Sequence, residues 1–197
     1  MYADSISLPS RRTVLAIPGS LRRNSYNRLL LQAATASAPA GMHIQLYDDL
    51  ASVPLFSEDL EADAVPADVR RLHERIVNAD ALLIATPEYN QSVPGVLKNA
   101  IDWLSRPPDE VLIGKPIAVI GASAGHWGTR LAQSHLRHVL YATEALVMPQ
   151  PSLFIGNAAN LFDSSGRIKD ESTTKVLQDL LLAFDDWTAR VGAKAAA

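Results

Sequence analysis

Thr13-Val14-Leu15-Ala16-Ile17-Pro18-Gly19-Ser20-Leu21-Arg22-Arg23-Asn24-Ser25-Tyr26-Asn27 runs from an apolar stretch through small and hydroxylic residues toward an amphipathic one, Leu29-Leu30-Leu31-Gln32-Ala33-Ala34. A strand that turns into a helix in this way points free backbone N–H groups and the positive end of the helix dipole at whatever lies in front. That environment suits an anion, phosphate above all. Arg22, Arg23, the hydroxyls of Ser20 and Ser25, and the amides of Asn24 and Asn27 add donors fit for one compact dianion. The stretch lacks the Gly-Lys-Ser/Thr ending of a Walker loop and the three spaced glycines of a dinucleotide fingerprint. An ordinary strand–helix loop in which Asn24 or Ser25 merely caps the helix accounts for the same residues.

Outward from this turn the chain alternates between short apolar runs and residues at helical spacing. The first strand, about 13–18, is apolar nearly throughout, as in a sheet covered on both faces, and Pro18 ends it. A helix over about 25–37 places Tyr26, Leu29, Leu30, Ala33 and Ala34 on one face. His43 to Tyr47 alternates apolar and polar residues and reads as an edge strand. A helix starting near Pro66 carries Val69, Leu72, Ile76 and Val77, with His73 at its solvent boundary. Ala81 to Thr86 is a central strand, and Ser92-Val93-Pro94 opens the next helix, with Ser92 as its cap. Val93, Val96, Leu97, Ala100, Ile101 and Leu104 form that helix's inner stripe.

Pro116 to Ile120 is the fourth strand, and the helix at roughly 127–142 turns Leu131, Leu136, Val139 and Leu140 inward. The fifth strand is Ala145 to Met148 or Leu153 to Ile155. A polar excursion from Asn157 to Asp170 then leads to a last helix burying Leu177, Leu180, Leu181, Phe184 and Val191, with Trp187 close by. Five strands alternating with five helices predict one open, parallel, doubly wound α/β domain over 13–191, with an arm at 1–12 and a tail at 192–197. Right-handed crossovers put helices on both faces, a three-layer sandwich.

Bulk properties narrow the function classes. The 197 residues are 48% hydrophobic and 20% charged, ordinary for a soluble globular domain with a substantial core. No cysteine is present, which excludes disulfides, thiolate nucleophiles and thiolate metal sites. Eighteen basic and 21 acidic residues leave a net charge of −3, which gives no sign of a nucleic-acid partner. No apolar run reaches the roughly 20 residues of a membrane span, and the N-terminus does not read as a signal peptide, so a cytoplasmic location is expected. Glu58 to Asp63 reads as a solvated acidic loop. His126, His135 and His138 have no carboxylate close in sequence and are assigned to solvent or subunit contact rather than to a metal.

In a doubly wound sheet, ligands bind beyond the C-terminal strand ends, where the winding reverses. For the order 2-1-3-4-5 that crevice lies between strands one and three. Its walls are Ser20 to Asn27, Thr86 to Ser92, and Gly121 to Gly125. Pro87-Glu88-Tyr89-Asn90 is a rigid turn able to hold backbone amides against the polar edge of a flat heterocycle, or a proline-initiated turn with Tyr89 packed on a neighbour. Gly121-Ala122-Ser123-Ala124-Gly125 also fits the nucleophile elbow of a serine hydrolase. That fold needs Ser, then an acid, then His; the last histidine is His138, and the first acid after Ser123 is Glu144.

Gly19-Ser20-Leu21-Arg22 with Ser25 and Asn27 resembles the phosphate loop of the NADPH-dependent FMN reductase family. The run Pro87-Glu88-Tyr89-Asn90-Gln91-Ser92-Val93-Pro94-Gly95-Val96-Leu97-Lys98-Asn99-Ala100-Ile101-Asp102-Trp103 resembles its second signature, in the subgroup of quinone, chromate and azo-compound reductases. The resemblance extends from about residue 13 to residue 190. It implies a flavodoxin-like fold, FMN as cofactor and NADPH or NADH as co-substrate. Carried over by position, Ser20, Arg22, Ser25 and Asn27 would hold the FMN phosphate, with Tyr26 among the cofactor-binding residues. Pro87, Glu88, Tyr89 and Asn90 would line the isoalloxazine and ribityl chain, and Ala122 and Ser123 would close the other side of the ring.

Pro18 departs from the small or β-branched residue expected there, and Ala124-Gly125-His126-Trp127 has no match in the pattern, which leaves the nicotinamide and acceptor contacts unassigned. The implied chemistry is hydride transfer from nicotinamide to flavin N5 and onward reduction of a quinone, azo compound, chromate or free flavin, with no protein acid or base required. A homodimer or homotetramer is implied too, with Trp103 and Tyr141 as interface or core residues. A flavodoxin-like electron carrier is the non-enzymatic alternative; such carriers are often markedly acidic, whereas −3 is mild.

Overall fold

A computed structural model describes residues 11–195 and turns each apolar run into a strand of one parallel sheet. The expected arm falls mostly on residues 1–10, outside the described range. Strand β1 (Arg12–Pro18) is followed by helix α1 (Tyr26–Ala36), β2 (Met42–Leu46), a short helix α2 (Glu58–Asp63) and α3 (Ala67–Val77). Then come β3 (Ala81–Ala85), α4 (Gly95–Leu104), β4 (Pro116–Ala122), α5 (Arg130–Ala142), β5 (Leu146–Val147), β6 (Leu153–Ile155) and α6 (Glu171–Ala195).

The sheet order is β2-β1-β3-β4-β5, with β6 also on β4. Both candidates for the fifth strand are strands, because they share one edge of β4. Pro116 and Ile117 pair with Leu146 and Val147, and Ile120 to Ala122 pair with Leu153 to Ile155. Pro18 costs no ladder bond. Donors of β1 alternate sides: Arg12 N–H donates to Gly41 O next to β2, and Gly19 N–H donates to Ala85 O on β3. The proline nitrogen therefore faces the β2 side, beyond the last pair there, Ala16 with Leu46.

Strand alternation divides the core into two layers. Val14 and Ala16, Leu83 and Ala85, and Ala118 and Ile120 pack with α1 and α6. Leu15 and Ile17, Leu82 and Ile84, and Ile117 and Val119 pack with α3, α4 and α5. Burying a large side chain of this kind contributes about 1.5–3 kcal/mol, so the alternation fixes the register of every strand.

Several local expectations shift. The buried face of α1 is Asn27, Leu30, Leu31 and Ala34, leaving Leu29 and Ala33 half-buried, because the Asn27 amide is drawn inward to β4. Val77, the last residue of α3, points to solvent. α5 starts at Arg130, so Leu131 lies in its first turn at the rim and is exposed. α4 starts at Gly95 with Pro94 in the cap position, so Ser92 does not cap it. Glu58 to Asp63 is helix α2 rather than a loop: its acids favour the helix N-terminus, and Glu61 accepts a bidentate pair from Arg106, Nε to Oε1 and Nη2 to Oε2, both at 2.9 Å. Trp103 belongs to the core, its Nε1–H donating 2.9 Å to Pro54 O, while Tyr141 is exposed. No described helix is long and apolar enough to cross a membrane.

Candidate functional site

The C-terminal ends of β1, β3 and β4 carry the three expected loops, and between them lies a crevice of about 270 Å³. Ser20, Arg22, Ser25, Tyr26 and Asn27 form one wall, Pro87, Glu88 and Tyr89 the second, and Ala122 to Gly125 the third. Asn90 is the expected residue that lies outside the crevice, at an exposed hairpin tip. Ala124 and Gly125, which the sequence places in the third wall without a cofactor contact, line the crevice beside Ala122 and Ser123. A larger cleft of about 640 Å³ against α3 and α4 involves Val69, His73, Trp103 and Arg106; it lies away from these strand ends, and its Arg106 is already paired with Glu61.

In the first wall both readings of the opening loop hold at once. Ser25 is the N-cap of α1, extended at φ −73° and ψ 124°, and its Oγ accepts the Arg28 N–H at 3.3 Å. The first turn of a helix has no internal acceptor for its leading N–H groups, so those of Tyr26 and Asn27 stay directed out of the helix end. Ser25 can donate its own hydroxyl proton in the same direction. Arg22 stands with its guanidinium carbon 4.6 Å from the Tyr26 ring centroid, and Tyr26 stacks on Phe162 with centroids 6.4 Å apart at 8°. The guanidinium is thus held by a ring face, which leaves its N–H edge for an acceptor.

Asn27 is buried and ties two walls together. Its Nδ2 donates to Ala122 O and its Oδ1 accepts from Ala122 N–H, both at 2.9 Å. The last β3–β4 bond runs from Thr86 N–H to Ile120 O, and one step further the Asn27 amide takes the place of a strand neighbour. Ser20 Oγ and Tyr89 Oη, 3.3 Å apart, link the first wall to the second.

The second wall is a miniature hairpin. Tyr89 and Ser92 exchange both backbone hydrogen bonds, at 3.2 and 3.0 Å, around Asn90 at φ 49° and Gln91 at φ 62°. Two consecutive left-handed residues make the tight turn that suits a right-twisted hairpin. Asparagine tolerates that conformation; glutamine does so at a cost of about 1 kcal/mol. Glu88 reaches across to α5, where its Oε2 accepts the N–H of Leu131 at 2.9 Å and of Ala132 at 3.0 Å. Thr129, in the cap position, makes no side-chain capping bond, so Glu88 caps α5 from another loop. Sequence spacing carries no sign of this contact, which spans more than forty residues.

In the third wall Ser123 Oγ accepts the Gly125 N–H at 3.0 Å, and among the described residues no histidine hydrogen-bonds to it. Gly121 has a packing reason: a Cβ there would meet Thr129 Oγ1 at 2.1 Å and Thr86 O at 2.5 Å. The G-x-S-x-G spacing therefore belongs to a close-packed turn, not to a nucleophile elbow. A Cβ on Gly125 would meet only Ser123 Oγ, at 3.4 Å, so this wall is open toward the crevice. A helix end with outward N–H groups and a guanidinium at one side, and a flat-walled gap between Pro87–Tyr89 and Ala122–Gly125 at the other, fit a molecule with one phosphate and one planar ring.

Comparison with known proteins agrees with this chemistry. Residues 12–160 match the family described as NADPH-dependent FMN reductase. The chain is similar to an NAD(P)H-dependent FMN reductase of Pseudomonas aeruginosa, 48% identical over 178 residues that cover 90% of this chain and 96% of the relative. It is similar to the quinone reductase of Escherichia coli K12, 41% identical over 180 residues, covering 90% and 96% respectively. The solved structure of FerB, a flavoenzyme NAD(P)H:(acceptor) oxidoreductase from Paracoccus denitrificans, is similar at a TM-score of 0.84 and 40% identity, covering 91% of this chain and 98% of that one. This chain belongs to the NADPH-dependent FMN reductase family. Its class is that of oxidoreductases that use FMN with NAD(P)H as co-substrate.

Proposed function

We propose that the chain is an NAD(P)H:quinone-type oxidoreductase whose FMN sits in the three-walled crevice. The observation that carries this reading is the outward-facing N-terminus of α1 beside the ring-held guanidinium of Arg22, opposite the Tyr89–Ser92 hairpin. Ser20, Arg22, Ser25 and the Tyr26 and Asn27 N–H groups bind the phosphate. Pro87, Tyr89, Ala122 and Ser123 bound the ring. Asn27 and Glu88 also position the walls, because their side chains are engaged with Ala122 and with α5. When bound, FMN supplies hydride acceptance and two-electron release. The chain's residues anchor the phosphate, orient the ring and leave one side accessible, and none is assigned as an acid or base.

Among quinone, azo compound, chromate and free flavin, quinone is favoured as acceptor by the similarity to the Escherichia coli quinone reductase. The same reading takes residues 13–191 as one catalytic domain, the protein as a homodimer or homotetramer, and the cytoplasm as its place of action. The test is to purify the protein, record flavin absorbance, and follow NADH and NADPH oxidation with a quinone panel. Bound flavin and parallel double-reciprocal lines, the pattern of two substrates using one site in turn, are expected. A colourless protein that neither binds FMN nor oxidises a nicotinamide refutes the reading. A flavin-loaded protein that takes electrons yet does not turn over NADPH is an electron carrier instead.

A further inference from the structure

We propose that Trp127 determines specificity for planar aromatic acceptors, its exposed indole, two residues beyond the crevice-lining Gly125, offering the surface on which they stack; this rests on the reductase reading above. The β4–α5 loop leaves the crevice wall at Gly125 and returns to it at Leu131, whose N–H is held by Glu88. Trp127 lies between these two anchors. Its main chain has little freedom. Asn157 N–H donates to Gly125 O at 3.0 Å, and a Cβ on Gly156 would meet His126 O at 2.2 Å. Gly128 has φ +69°, and a Cβ there would meet the Phe154 and Ile155 backbone at 3.1–3.3 Å.

On this fixed loop Trp127 is 74% exposed, whereas Trp103 is buried and Trp187 half-buried against the core. His126 braces it edge-on, with centroids 5.8 Å apart at 74°. The exposure is not isolated, since Leu21 and Tyr89 on loops and Leu131 in the first turn of α5 are also exposed at this end of the sheet. Exposed apolar surface next to a polar crevice is the kind of surface that receives a ligand or a partner subunit, and beside a flavin crevice a planar acceptor is the occupant proposed here. The Tyr89 hydroxyl is already engaged with Ser20, which leaves its ring, like the indole, to offer a face. A nicotinamide coenzyme has phosphates and riboses as further handles, whereas a small uncharged quinone has little but its ring. Loss of one stacking surface therefore falls hardest on the quinone.

The test uses the FMN-loaded protein. Trp127→Ala should raise the KM for 1,4-naphthoquinone about tenfold, the size of one lost aromatic stack. It should lower by a similar factor the preference for naphthoquinone over ferricyanide, a compact acceptor with no planar ring. Equilibrium dialysis of anthraquinone-2-sulfonate against the oxidised holoprotein, with no nicotinamide present, should show the same loss of affinity, and Trp127→Phe should recover most of it. Unchanged naphthoquinone KM and anthraquinone affinity in Trp127→Ala, with FMN retained, overturn the proposal while leaving the reductase reading standing. So does an equal loss for both acceptors, or an indole that acrylamide fails to quench in the holoprotein. A wild-type protein that holds no FMN removes both readings.

Discussion

The two ends of the sheet handle their polar groups in opposite ways. At the N-terminal ends of the strands Arg12, the Thr13 N–H and Lys115 each meet a complement. Arg12 Nε donates 2.8 Å to Asp185, and Thr13 N–H donates 2.7 Å to the Asp80 carboxylate. Lys115 Nζ closes the C-terminal end of α3 by donating to Ile76 O at 3.0 Å and Ala79 O at 2.8 Å. Burial there pushes the Lys115 pKa below its ordinary 10.5. At the C-terminal ends, side chains are spent on holding loops in place, as with Asn27 on Ala122 and Glu88 on α5. The start of α1 and Arg22, the latter held on the Tyr26 ring, line the crevice there. One end closes the fold, and the other is the end at which the FMN phosphate is proposed to bind.

Asn27→Ala breaks this contrast most. It leaves two buried backbone groups of Ala122 unsatisfied, so urea unfolding should show a loss of about 3 kcal/mol, and FMN affinity should fall with it. A loss of stability without a loss of affinity would mean that the third wall does not matter to the cofactor. Lys115→Met acts at the closed end: stability should fall by about 2 kcal/mol through the lost charged hydrogen bonds, with FMN affinity unchanged. Altered flavin binding in that variant would contradict the division between the ends.

Gln91→Gly relieves the left-handed strain of the hairpin and should raise stability by about 1 kcal/mol. A destabilised variant would show that the glutamine side chain, not the turn, holds the loop. The smallest effect belongs to Asp170, which caps α6 by accepting from the Thr173 and Ser172 hydroxyls and the Thr173 N–H. These bonds hold its pKa down to about 2, against an ordinary 3.8. Its stabilisation is therefore complete above pH 3.8 and disappears as pH falls through 2. Acid titration followed by circular dichroism should show a shallower acid limb in Asp170→Asn, and an identical limb would remove the cap from the account.

The strands, the α4 stripe and the three crevice loops were legible because apolar periodicity and turn residues are local signals. What escaped the sequence depended on partners distant along the chain. Asn27 looked like one more phosphate donor, and only the end of β3 below it shows why its amide turns to Ala122. Glu88 looked like a ring contact, and its use as the cap of α5 joins loops more than forty residues apart. β5 and β6 read as alternatives because each is too short to claim a whole neighbour, and β4 is long enough to pair with both. Gln91 gave no glycine signal for the left-handed turn it occupies.

The central claim is that the α1 end and Arg22 bind the phosphate of the flavin. Titrating the apoprotein with FMN and with riboflavin, in wild type and in Arg22→Ala, tests it most directly. The account predicts that wild type binds FMN at least about tenfold more tightly than riboflavin, and that Arg22→Ala removes most of that difference while leaving riboflavin affinity unchanged. Equal affinity for the two flavins in wild type, or an undiminished preference for FMN in Arg22→Ala, would contradict it.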